Sequence, residues 1–297
     1  MKILLIGGNG YIGCRLYEYL LNQGYSVDNL DLCIFGRVFQ ETIVCDYRSF
    51  PKDRLQEYSH IILLAGHSCP STVGNSFIPI VKNNVDNFIG LLEKLNSNQE
   101  LIYASTAAIY GNSNELKFET DVLDNPVDIY TWTKQCIEQL ASISPIKSVG
   151  LRFGTVGGFS KNFRSENLLN SMSVSSFRNN EIIVSNPNLY RSILGINDLC
   201  VAINRILQVG IKSPIYNLIS DRGTIGSFGI SLSTLTESSI VVNDSMKTGY
   251  SFNCSSRKFE NDYNFKFCDT IETIYHDITE NLDKIQINEK RSVIHYE

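Results

Sequence analysis

The sequence predicts an α/β protein built on a doubly wound parallel sheet, with a smaller, discontinuous lobe formed mainly by the C-terminal half. Three observations support this fold class. Short apolar segments alternate with amphipathic segments along the first half, the pattern of a parallel sheet covered by helices on both faces. A glycine-rich turn joins the first strand to the first helix. The stretch 154–187 changes character and is rich in Gly, Ser and Asn.

The first half predicts six strands and three helices in regular order. Each predicted strand is a short apolar run, as expected for strands buried on both faces. Gly24 directly follows the first helix, at the position where glycine ends helices. The predicted strands lie at 2–6, 26–32, 41–45, 59–65, 101–105 and 147–153, and the helices at 11–23, about 78–96 and 130 to about 142.

The second half predicts a strand at 192–196, a helix at 198–209 and a strand at 214–219, followed by short elements and an acidic, amphipathic tail from 270 to about 285. The economical division places residues 1–154 and about 188–219 in the sheet domain. Residues about 155–187 and 220–297 then form the smaller lobe, with boundaries uncertain by a few residues.

Composition excludes several function classes. The net charge is -5, and no basic stretch runs along the chain, so nucleic acid is not an expected partner. The eight cysteines form no Cys-x-x-Cys pair, and neither they nor the four histidines have metal-ligand spacing, so no metal is expected. The apolar start is too short for a signal peptide or a membrane span. We expect a cytoplasmic protein that does not bind membranes.

The glycine-rich turn predicts a phosphate-binding loop. Gly7, Gly10 and Gly13 have the spacing G-x-x-G-x-x-G between the first strand and first helix, and the run continues through Asn9, Tyr11 and Ile12. Glycine permits a tight turn and close approach of the backbone to a pyrophosphate, which the helix N-terminus then meets with free N–H groups. The alternative is a tight turn without a ligand. With a ligand, the domain is a Rossmann-type dinucleotide-binding domain.

Asp31 ends the second strand, about 20 residues beyond the loop, where a dinucleotide fold places an acid. A carboxylate there accepts hydrogen bonds from ribose hydroxyls and repels a 2′-phosphate, so NAD is preferred over NADP. Asp28 is a competing acid in the middle of the strand, and Arg37 would tolerate a phosphate.

Tyr130 and Lys134 form a predicted acid/base pair. Residues four apart lie on one helix face. A free tyrosine ionises near pH ~10, and a nearby ammonium lowers the pKa toward the working range. The spacing alone arises often by chance, and gains weight here from the glycine loop.

Together these features resemble the extended short-chain dehydrogenase/reductase family, specifically its nucleotide-sugar epimerases, dehydratases and reductases. The resemblance covers nearly the whole chain. It extends to Cys45-Asp46-Tyr47, Leu63-Leu64-Ala65-Gly66, Asn84-Val85, the run from Leu101 to Gly111, and Arg191 through Asp198, with Gly195 where histidine is common. The resemblance implies that Asp46 and Tyr47 lie at the adenine, and that Leu64, Ala65, Gly66 and Asn84 line the cofactor.

The resemblance also implies catalytic roles. Thr106 would hydrogen-bond the reacting sugar hydroxyl, with Ser105 as a neighbouring helper. Tyr130 would remove the hydroxyl proton while hydride moves to C4 of the nicotinamide, and Lys134 would hold the nicotinamide ribose. The alternative for Thr106 is an ordinary strand-end hydroxyl.

Two alanines narrow the expected reaction. Relatives that catalyse 4,6-dehydration carry Asp-Glu directly after the catalytic Thr, and 3,5-epimerases carry a catalytic Cys just before Ile-Tyr. These positions are Ala107 and Ala108 here. The chemistry that remains is at C4: 4-epimerisation, 4-oxidation or 4-keto reduction.

The predicted substrate residues are less specific. Thr155 stands where many relatives place a phosphate-binding Asn, and the segment from Gly158 to Arg164 resembles a subgroup acting on varied activated sugars. Arg164 and Arg191 are the predicted diphosphate ligands because a planar guanidinium suits phosphate oxygens, although either could be a surface arginine. Asn170 is a further candidate. His67 would face the sugar or form part of the wall.

Two functions from different classes remain open. One is an enzyme acting at C4 of a nucleotide-diphosphate sugar with NAD, and the other is a non-catalytic NAD(P)-binding regulatory or structural subunit on the same fold. The resemblance further implies a homodimer formed through the helices of Asn84 and Tyr130. The sugar, the base and the direction of reaction are left open.

Overall fold

A computed structural model describes residues 1–67, 77–243 and 249–284. Its strands are β1 (Lys2–Ile6), β2 (Ser26–Asp31), β3 (Ile43–Val44), β4 (His60–Leu63), β5 (Glu100–Thr106), β6 (Leu116–Lys117), β7 (Lys147–Phe153), β8 (Thr155–Gly157), β9 (Glu181–Ser185), β10 (Tyr190–Gly195), β11 (Ile215–Leu218), β12 (Asp221–Thr224), β13 (Ser239–Asn243) and β14 (Asn253–Cys254).

The α-helices are α1 (Tyr11–Asn22), α2 (Lys52–Leu55), α3 (Ile78–Val81), α4 (Asn87–Lys94), α5 (Ile129–Ile143), α6 (Leu168–Asn179), α7 (Ile196–Val209), α8 (Ile225–Thr236), α9 (Arg257–Tyr263) and α10 (Ile271–Thr279). A π-helical turn, Lys82–Asp86, joins α3 to α4, and 3₁₀ turns occupy Ala107–Tyr110 and Leu282–Lys284.

Seven strands form one sheet in the order β11-β7-β5-β4-β1-β2-β3, and all six pairings are parallel. The chain order reverses between β1 and β4, which is the doubly wound arrangement. The predicted fold class is therefore confirmed. In such sheets, ligands bind beyond the carboxyl ends of the strands at the reversal, where the glycine-rich loop begins.

The strands form because their residues are apolar on both faces. Leu4, Leu5 and Ile6 are at most 1% exposed, and alternate residues pack into different clusters, Leu5 on one side and Leu4 on the other. This is why no alternation of polar and apolar residues marks them in the sequence.

Three smaller sheets lie outside the main one. The strands β12, β10 and β8 form one, β13 and β9 pair in parallel, and β14 pairs with β6. These strands and α6, α8, α9 and α10 come largely from the segments predicted for the smaller lobe. That predicted division also includes residues 244–248 and 285–297, which lie outside the described residues.

Several predicted boundaries were wrong. The strand at 41–45 is only Ile43–Val44, and the helix at 78–96 is two α-helical segments around a π turn. The strand at 192–196 begins earlier, at Tyr190, and α7 begins at Ile196. Helix α6 was not predicted, because its run of serines and asparagines carries a weak amphipathic pattern and packing against α10 and β9 supports the helix instead.

Candidate active site at the carboxyl ends of the strands

The glycine loop packs tightly against the ends of neighbouring strands. Gly7 has φ +94, and a Cβ there would lie 2.6 Å from the backbone N of Ala65. A Cβ on Gly13 would lie 2.0 Å from the carbonyl oxygen of Gly7. Neither approach is possible for a residue with a side chain. At Gly10 the nearest atom to such a Cβ is the Gly7 carbonyl oxygen, 3.2 Å away, so this position is less crowded than Gly7 or Gly13.

The first turn of α1 has the features of an anion site. Gly10 stands at the N-cap and provides no side-chain cap, and no acidic residue lies in the first turn. The backbone N–H groups at Tyr11, Ile12 and Gly13 have no intrahelical acceptor because they open the helix. These amides and the positive end of the helix dipole fit a pyrophosphate.

Asp31 is held at the end of β2 by the loop itself. Its carboxylate accepts from the backbone N–H of Asn9 at 2.9 Å and of Cys33 at 2.6 Å. Burial raises its pKa, and these two hydrogen bonds oppose the rise. The carboxylate is thus fixed beside the glycine loop, which fits a pair of ribose hydroxyls.

The side chain of Asn9 is hydrogen-bonded to the segment that follows β2. Its Oδ1 accepts from Val38 N at 2.7 Å, and its Nδ2 donates to Thr42 Oγ1 at 2.8 Å. Asn9 is 2% exposed. The backbone N–H of Asn9 donates to Asp31 and its carbonyl oxygen accepts from Asn162 Nδ2, and the predicted cofactor role of Asn9 stays a prediction.

Arg37 is turned onto the backbone of the same segment. Its guanidinium donates to the carbonyl oxygens of Phe39 at 3.2 Å and Thr42 at 3.1 Å, and also to that of Gln40. These three bonds use Nε and Nη2 and turn the guanidinium toward the backbone of its own segment.

The other predicted cofactor residues follow β3 and β4. The Asp46 carboxylate accepts hydrogen bonds from Arg48, including one from its backbone N–H at 2.9 Å and one from its Nε at 2.7 Å. Tyr47 lies with its hydroxyl 3.5 Å from the carbonyl oxygen of Asn83. Leu64 and Ala65 donate their backbone N–H groups to the carbonyl of Ile6, at 2.8 and 3.1 Å, which brings them to the end of β1.

Asn84 joins the segment after β4 to α5. Its Oδ1 accepts from the backbone N–H of His67 at 2.8 Å, and its Nδ2 donates to the His67 carbonyl at 3.2 Å and to Thr133 Oγ1 at 3.0 Å. Asn84 lies in the π-helical turn, and such turns occur frequently at functional sites. Gly66 lies against this amide. His67 is buried, which lowers its pKa.

Helix α5 brings Tyr130 and Lys134 to the end of β5. Asp128 caps the helix in a reciprocal capping box with Thr131, so the helix begins directly before Tyr130. Lys134 Nζ donates to the carbonyl oxygen of Ala104 at 2.9 Å and lies 5.8 Å from the centre of the Tyr130 ring. Burial lowers the pKa of Lys134 to about 8, and Glu138 counteracts part of that effect.

Thr106 stands at the last position of β5 and is 9% exposed. Its Oγ1 accepts from the backbone N–H of Ala108 at 3.2 Å and caps the following 3₁₀ turn. The hydroxyl proton is not used in that bond, so Thr106 still has a donor to offer. Ala107 and Ala108 are buried in the turn.

Ser105 contacts a buried carboxylate, and its predicted substrate role stays a prediction. Its Oγ donates to Glu138 Oε1 at 2.6 Å. Glu138 also binds Arg152, which donates from Nε at 2.9 Å and from Nη2 at 2.6 Å. Neither Glu138 nor Arg152 was predicted from the sequence as a site residue. The spacing of Glu138, four positions after Lys134, was the available signal.

Two predicted substrate residues lie in other contacts. Arg164 donates from Nε to Glu166 Oε1 at 2.8 Å. Arg191 donates from Nη1 to the carbonyl oxygens of Tyr190, at 2.9 Å, and Tyr250. Its guanidinium carbon lies 5.0 Å from the ring centre of Phe252. The half-buried Thr155 opens β8 beside Ile193.

Asn170 contacts the first helix. Its Nδ2 donates to Tyr11 Oη at 3.0 Å, and Tyr11 Oη in turn donates to the carbonyl of Gly158 at 2.7 Å. Ser160 Oγ donates to the Tyr11 carbonyl at 2.6 Å, and Asn162 Nδ2 donates to the Asn9 carbonyl at 2.5 Å. Asn170 is fully buried. The structure thus joins a predicted substrate residue to a predicted cofactor residue.

The described residues contain neither a candidate metal cluster nor a candidate membrane-spanning helix. No three His, Cys, Asp or Glu side chains in 1–67, 77–243 and 249–284 are grouped so that they could hold a metal ion. Within the same ranges, every helix is too short or too polar to cross a membrane.

Comparison with known proteins gives a consistent family. The family model of NAD dependent epimerases/dehydratases matches residues 3–218. Protein CapI of Staphylococcus aureus is 27% identical over 234 residues, which is 70% of each chain. A UDP-glucose 4-epimerase of Lactobacillus helveticus is 28% identical over 175 residues. That match covers 54% of this chain and 53% of the epimerase, so it spans about half of the relative.

Among solved structures, MoeE5 in complex with UDP-glucuronic acid and NAD is similar over 96% of this chain and 99% of its own, with a TM-score of 0.82 and 18% identity. At this identity the similarity shows a shared fold. It covers the main sheet and the smaller sheets together.

Proposed function

The chain belongs to the NAD-dependent epimerase/dehydratase family, as its resemblance to the extended short-chain dehydrogenases/reductases predicted, and from that premise we propose that it acts at C4 of a nucleotide-diphosphate sugar. The proposed reactions are 4-epimerisation, 4-oxidation or 4-keto reduction. The observation that carries the proposal is the buried Lys134 ammonium beside the Tyr130 ring, at the end of the strand that carries Thr106.

In the proposed mechanism, NAD supplies the hydride acceptor when bound. Tyr130 takes the proton of the sugar hydroxyl, since the neighbouring Lys134 ammonium favours the phenolate. Thr106 donates its free hydroxyl proton to the reacting oxygen and holds it in position. In 4-keto reduction, where the reduced cofactor would supply the hydride when bound, Tyr130 gives its own phenolic proton to the ketone oxygen.

The two alanines support chemistry restricted to C4. Ala107 and Ala108 are 0% and 5% exposed, and their methyl groups can neither donate nor accept a proton. Dehydration across C5 and C6, or inversion at C3 and C5, requires a further acid or base beside the hydride-transfer site. The positions that supply it in relatives carry none here.

The cofactor we propose is NAD. The backbone amides that open α1 would bind the pyrophosphate, and Asp31 would accept from the ribose hydroxyls. Asp31 also repels a 2′-phosphate, and Arg37 donates from Nε and Nη2 to backbone carbonyls of its own segment. Asp46, Tyr47, Leu64, Ala65, Gly66 and Asn84 follow the strands on either side of β1, where the adenine and nicotinamide ends of a dinucleotide would lie.

The proposed substrate site lies toward the smaller sheets, in residues about 155–187 and 220–297. Arg191 is the first candidate for the diphosphate. Its Nη1 donates to a backbone carbonyl, and the rings of Tyr250 and Phe252 flank the guanidinium, so the group is held in one orientation. Arg164, Thr155 and His67 remain further candidates. The bound UDP-glucuronic acid of MoeE5 makes UDP-sugars the first substrates to test.

A panel of UDP-, GDP-, CDP- and dTDP-sugars tests the proposal, with NADH absorbance and sugar products as readouts. We expect turnover of at least one sugar and a loss of roughly 10²-fold or more in Tyr130→Phe. Tyr275→Phe, a half-buried tyrosine on α10, is the matched control and should retain activity. Unchanged turnover in Tyr130→Phe would refute the mechanism. Bound NAD without turnover of any sugar would favour the non-catalytic subunit.

A further inference from the structure

A third residue follows Tyr130 and Lys134 on the same face of α5. Glu138 comes four positions after Lys134, which itself comes four positions after Tyr130. The Glu138 carboxylate is buried at 8% exposure and accepts three hydrogen bonds, two from Arg152 and one from Ser105. The bonds from Arg152 are bidentate, the geometry that orients a carboxylate most strongly.

The network continues past Arg152 to the turn that Thr106 caps. Arg152 Nη1 donates to Tyr110 Oη at 2.7 Å, and Tyr110 Oη donates to Asn217 Oδ1 at 2.9 Å. Arg152 is 4% exposed, and Tyr110 and Asn217 are at most 1% exposed. Four elements, α5, β5, β7 and β11, are therefore joined through side chains that solvent does not reach.

Two adjacent bonds tie α5 to the end of β5. Lys134 Nζ donates to the carbonyl of Ala104, and Ser105 Oγ donates to Glu138. Thr106 is the next residue, and its hydroxyl caps the turn that ends at Tyr110. Helix and strand are thus fixed against each other at the two residues directly before Thr106, next to the position where Thr106, Tyr130 and Lys134 must cooperate.

Stability alone explains this arrangement poorly. Burying two charges costs several kcal/mol each in desolvation, and apolar side chains of similar volume are often as stable or more so. A buried, fully hydrogen-bonded ion pair is instead suited to holding a single geometry and a fixed local charge.

We propose that Glu138 is a positioning residue of the active site: it sets the register of α5 on the strand end that carries Thr106, and it places a negative charge about one helical turn from Lys134. The inference rests on the proposed roles of Tyr130, Lys134 and Thr106. Arg152 and Ser105 act through Glu138 by fixing its carboxylate.

Among the described residues, several ionisable groups besides Lys134 belong to this region. Tyr130 and Glu138 lie on α5 itself, Arg152 on β7 binds Glu138, and the Tyr103 hydroxyl on β5 lies within the electrostatic influence of Glu138 and Arg152. Tyr47 lines a small cavity together with Lys134. Burial lowers the pKa of Lys134, and Glu138 is the group that raises it again.

The test compares Glu138→Gln, which removes the charge, with Glu138→Asp, which keeps it. Without the carboxylate charge, Lys134 loses its proton at lower pH, so the alkaline limb of the pH–kcat profile should move down by roughly 1 pH unit in Glu138→Gln. Glu138→Asp should keep the limb within a few tenths of a unit, even with lower activity. Ser105→Ala, which leaves the charge pair intact, should also leave the limb in place.

A second readout needs neither NAD nor a substrate. Lys134 has a folded pKa of about 8 against 10.5 unfolded, so the unfolded chain binds more protons between these values and stability rises with pH there. In Glu138→Gln the rise in melting temperature should begin at lower pH than in the wild-type protein. This readout keeps its meaning if the proposed sugar chemistry is wrong.

The overturning result is a Glu138→Gln protein that melts at lower temperature but keeps the wild-type pH dependence of both kcat and melting temperature. That result would make Glu138 a structural residue only. If Glu138→Gln does not fold because Arg152 is left unpaired, Glu138→Gln/Arg152→Gln removes both charges together. Because the loss of the Arg152 cation opposes the loss of the Glu138 anion, a smaller shift in the same direction is expected there, and an unchanged pH dependence of kcat and melting temperature would equally refute the proposal.

Discussion

At the scale of single residues, the proposed chemistry depends on Lys134 and Thr106, which are held by hydrogen bonds and still keep a donor for a ligand. Lys134 uses one donor on the carbonyl of Ala104, which fixes the ammonium without neutralising it. Thr106 accepts one backbone N–H and keeps its own proton to donate. The polar groups are therefore oriented before a ligand arrives, which is the condition for electrostatic stabilisation of a developing charge.

Thr106 offers a sharp test at this scale. Thr106→Val keeps the shape and removes the hydroxyl, so we expect kcat/KM to fall by roughly 100-fold with the proton affinity of Lys134 unchanged. Thr106→Ser keeps the hydroxyl and should retain most of the activity. Steady-state kinetics with the best sugar of the panel measures both, and equal losses in the two variants would argue that the hydroxyl has no chemical role.

At the scale of elements, the turn between β1 and α1 offers a ligand its backbone N–H groups in place of side chains. The loop approaches the end of β4 so closely that a Cβ on Gly7 would overlap Ala65. The Asn9 amide holds the 38–42 segment, and Asp31 holds the Asn9 backbone. The rigid loop then presents its free amides outward.

Two glycine-to-alanine changes separate loop geometry from helix propensity. In Gly13→Ala the new Cβ would lie 2.0 Å from the Gly7 carbonyl, so the loop must shift, at a cost of ~1–3 kcal/mol in stability and with weaker NAD binding. Gly90→Ala, inside α4, meets nothing within 4 Å and should stabilise by up to ~1 kcal/mol. Calorimetric titration with NAD and thermal melting measure both, and wild-type NAD affinity in Gly13→Ala would contradict a phosphate role for the loop.

At the scale of the whole molecule, hydrogen bonds join the glycine loop to the segment that follows β8. They connect residues 158–170 with Asn9 and Tyr11. In this way the proposed cofactor and substrate regions are held in a fixed relation, although their residues lie about half the chain apart. A hydride transfer requires that relation, because the two reacting carbons must meet at close range.

The proposed homodimer is also tested at this scale. Apolar side chains stand exposed on α4 and α5, Ile89 at 37% and Trp132 at 40%, which fits helices packed against a second copy. Trp132→Glu should therefore give a monomer in sedimentation velocity. Val201→Glu on α7, at the same 40% exposure, is the control and should leave the assembly unchanged. A wild-type protein that sediments as a monomer would exclude the dimer.

A feature could be predicted from the sequence when a short stretch of the chain encodes it. The glycine loop and the Tyr130–Lys134 spacing each occupy a short stretch of chain, so local rules of backbone conformation and helix geometry were enough to find them. The capping box at Asp128 and the apolar strands are local in the same sense. The π turn at Asn84 was missed, because its hydrogen bonds to His67 and Thr133 exist only after folding.

By itself, the sequence determined the doubly wound sheet, the position of the loop at its centre, and the family of the chain. Only the tertiary structure decided which way the polar side chains turn. Asn9 and Arg37 face the protein, Asn170 binds Tyr11 rather than standing free for a substrate, and Glu138 pairs with Arg152. The physical reason is that a buried polar group must find partners, and these partners come from elements far apart in the chain.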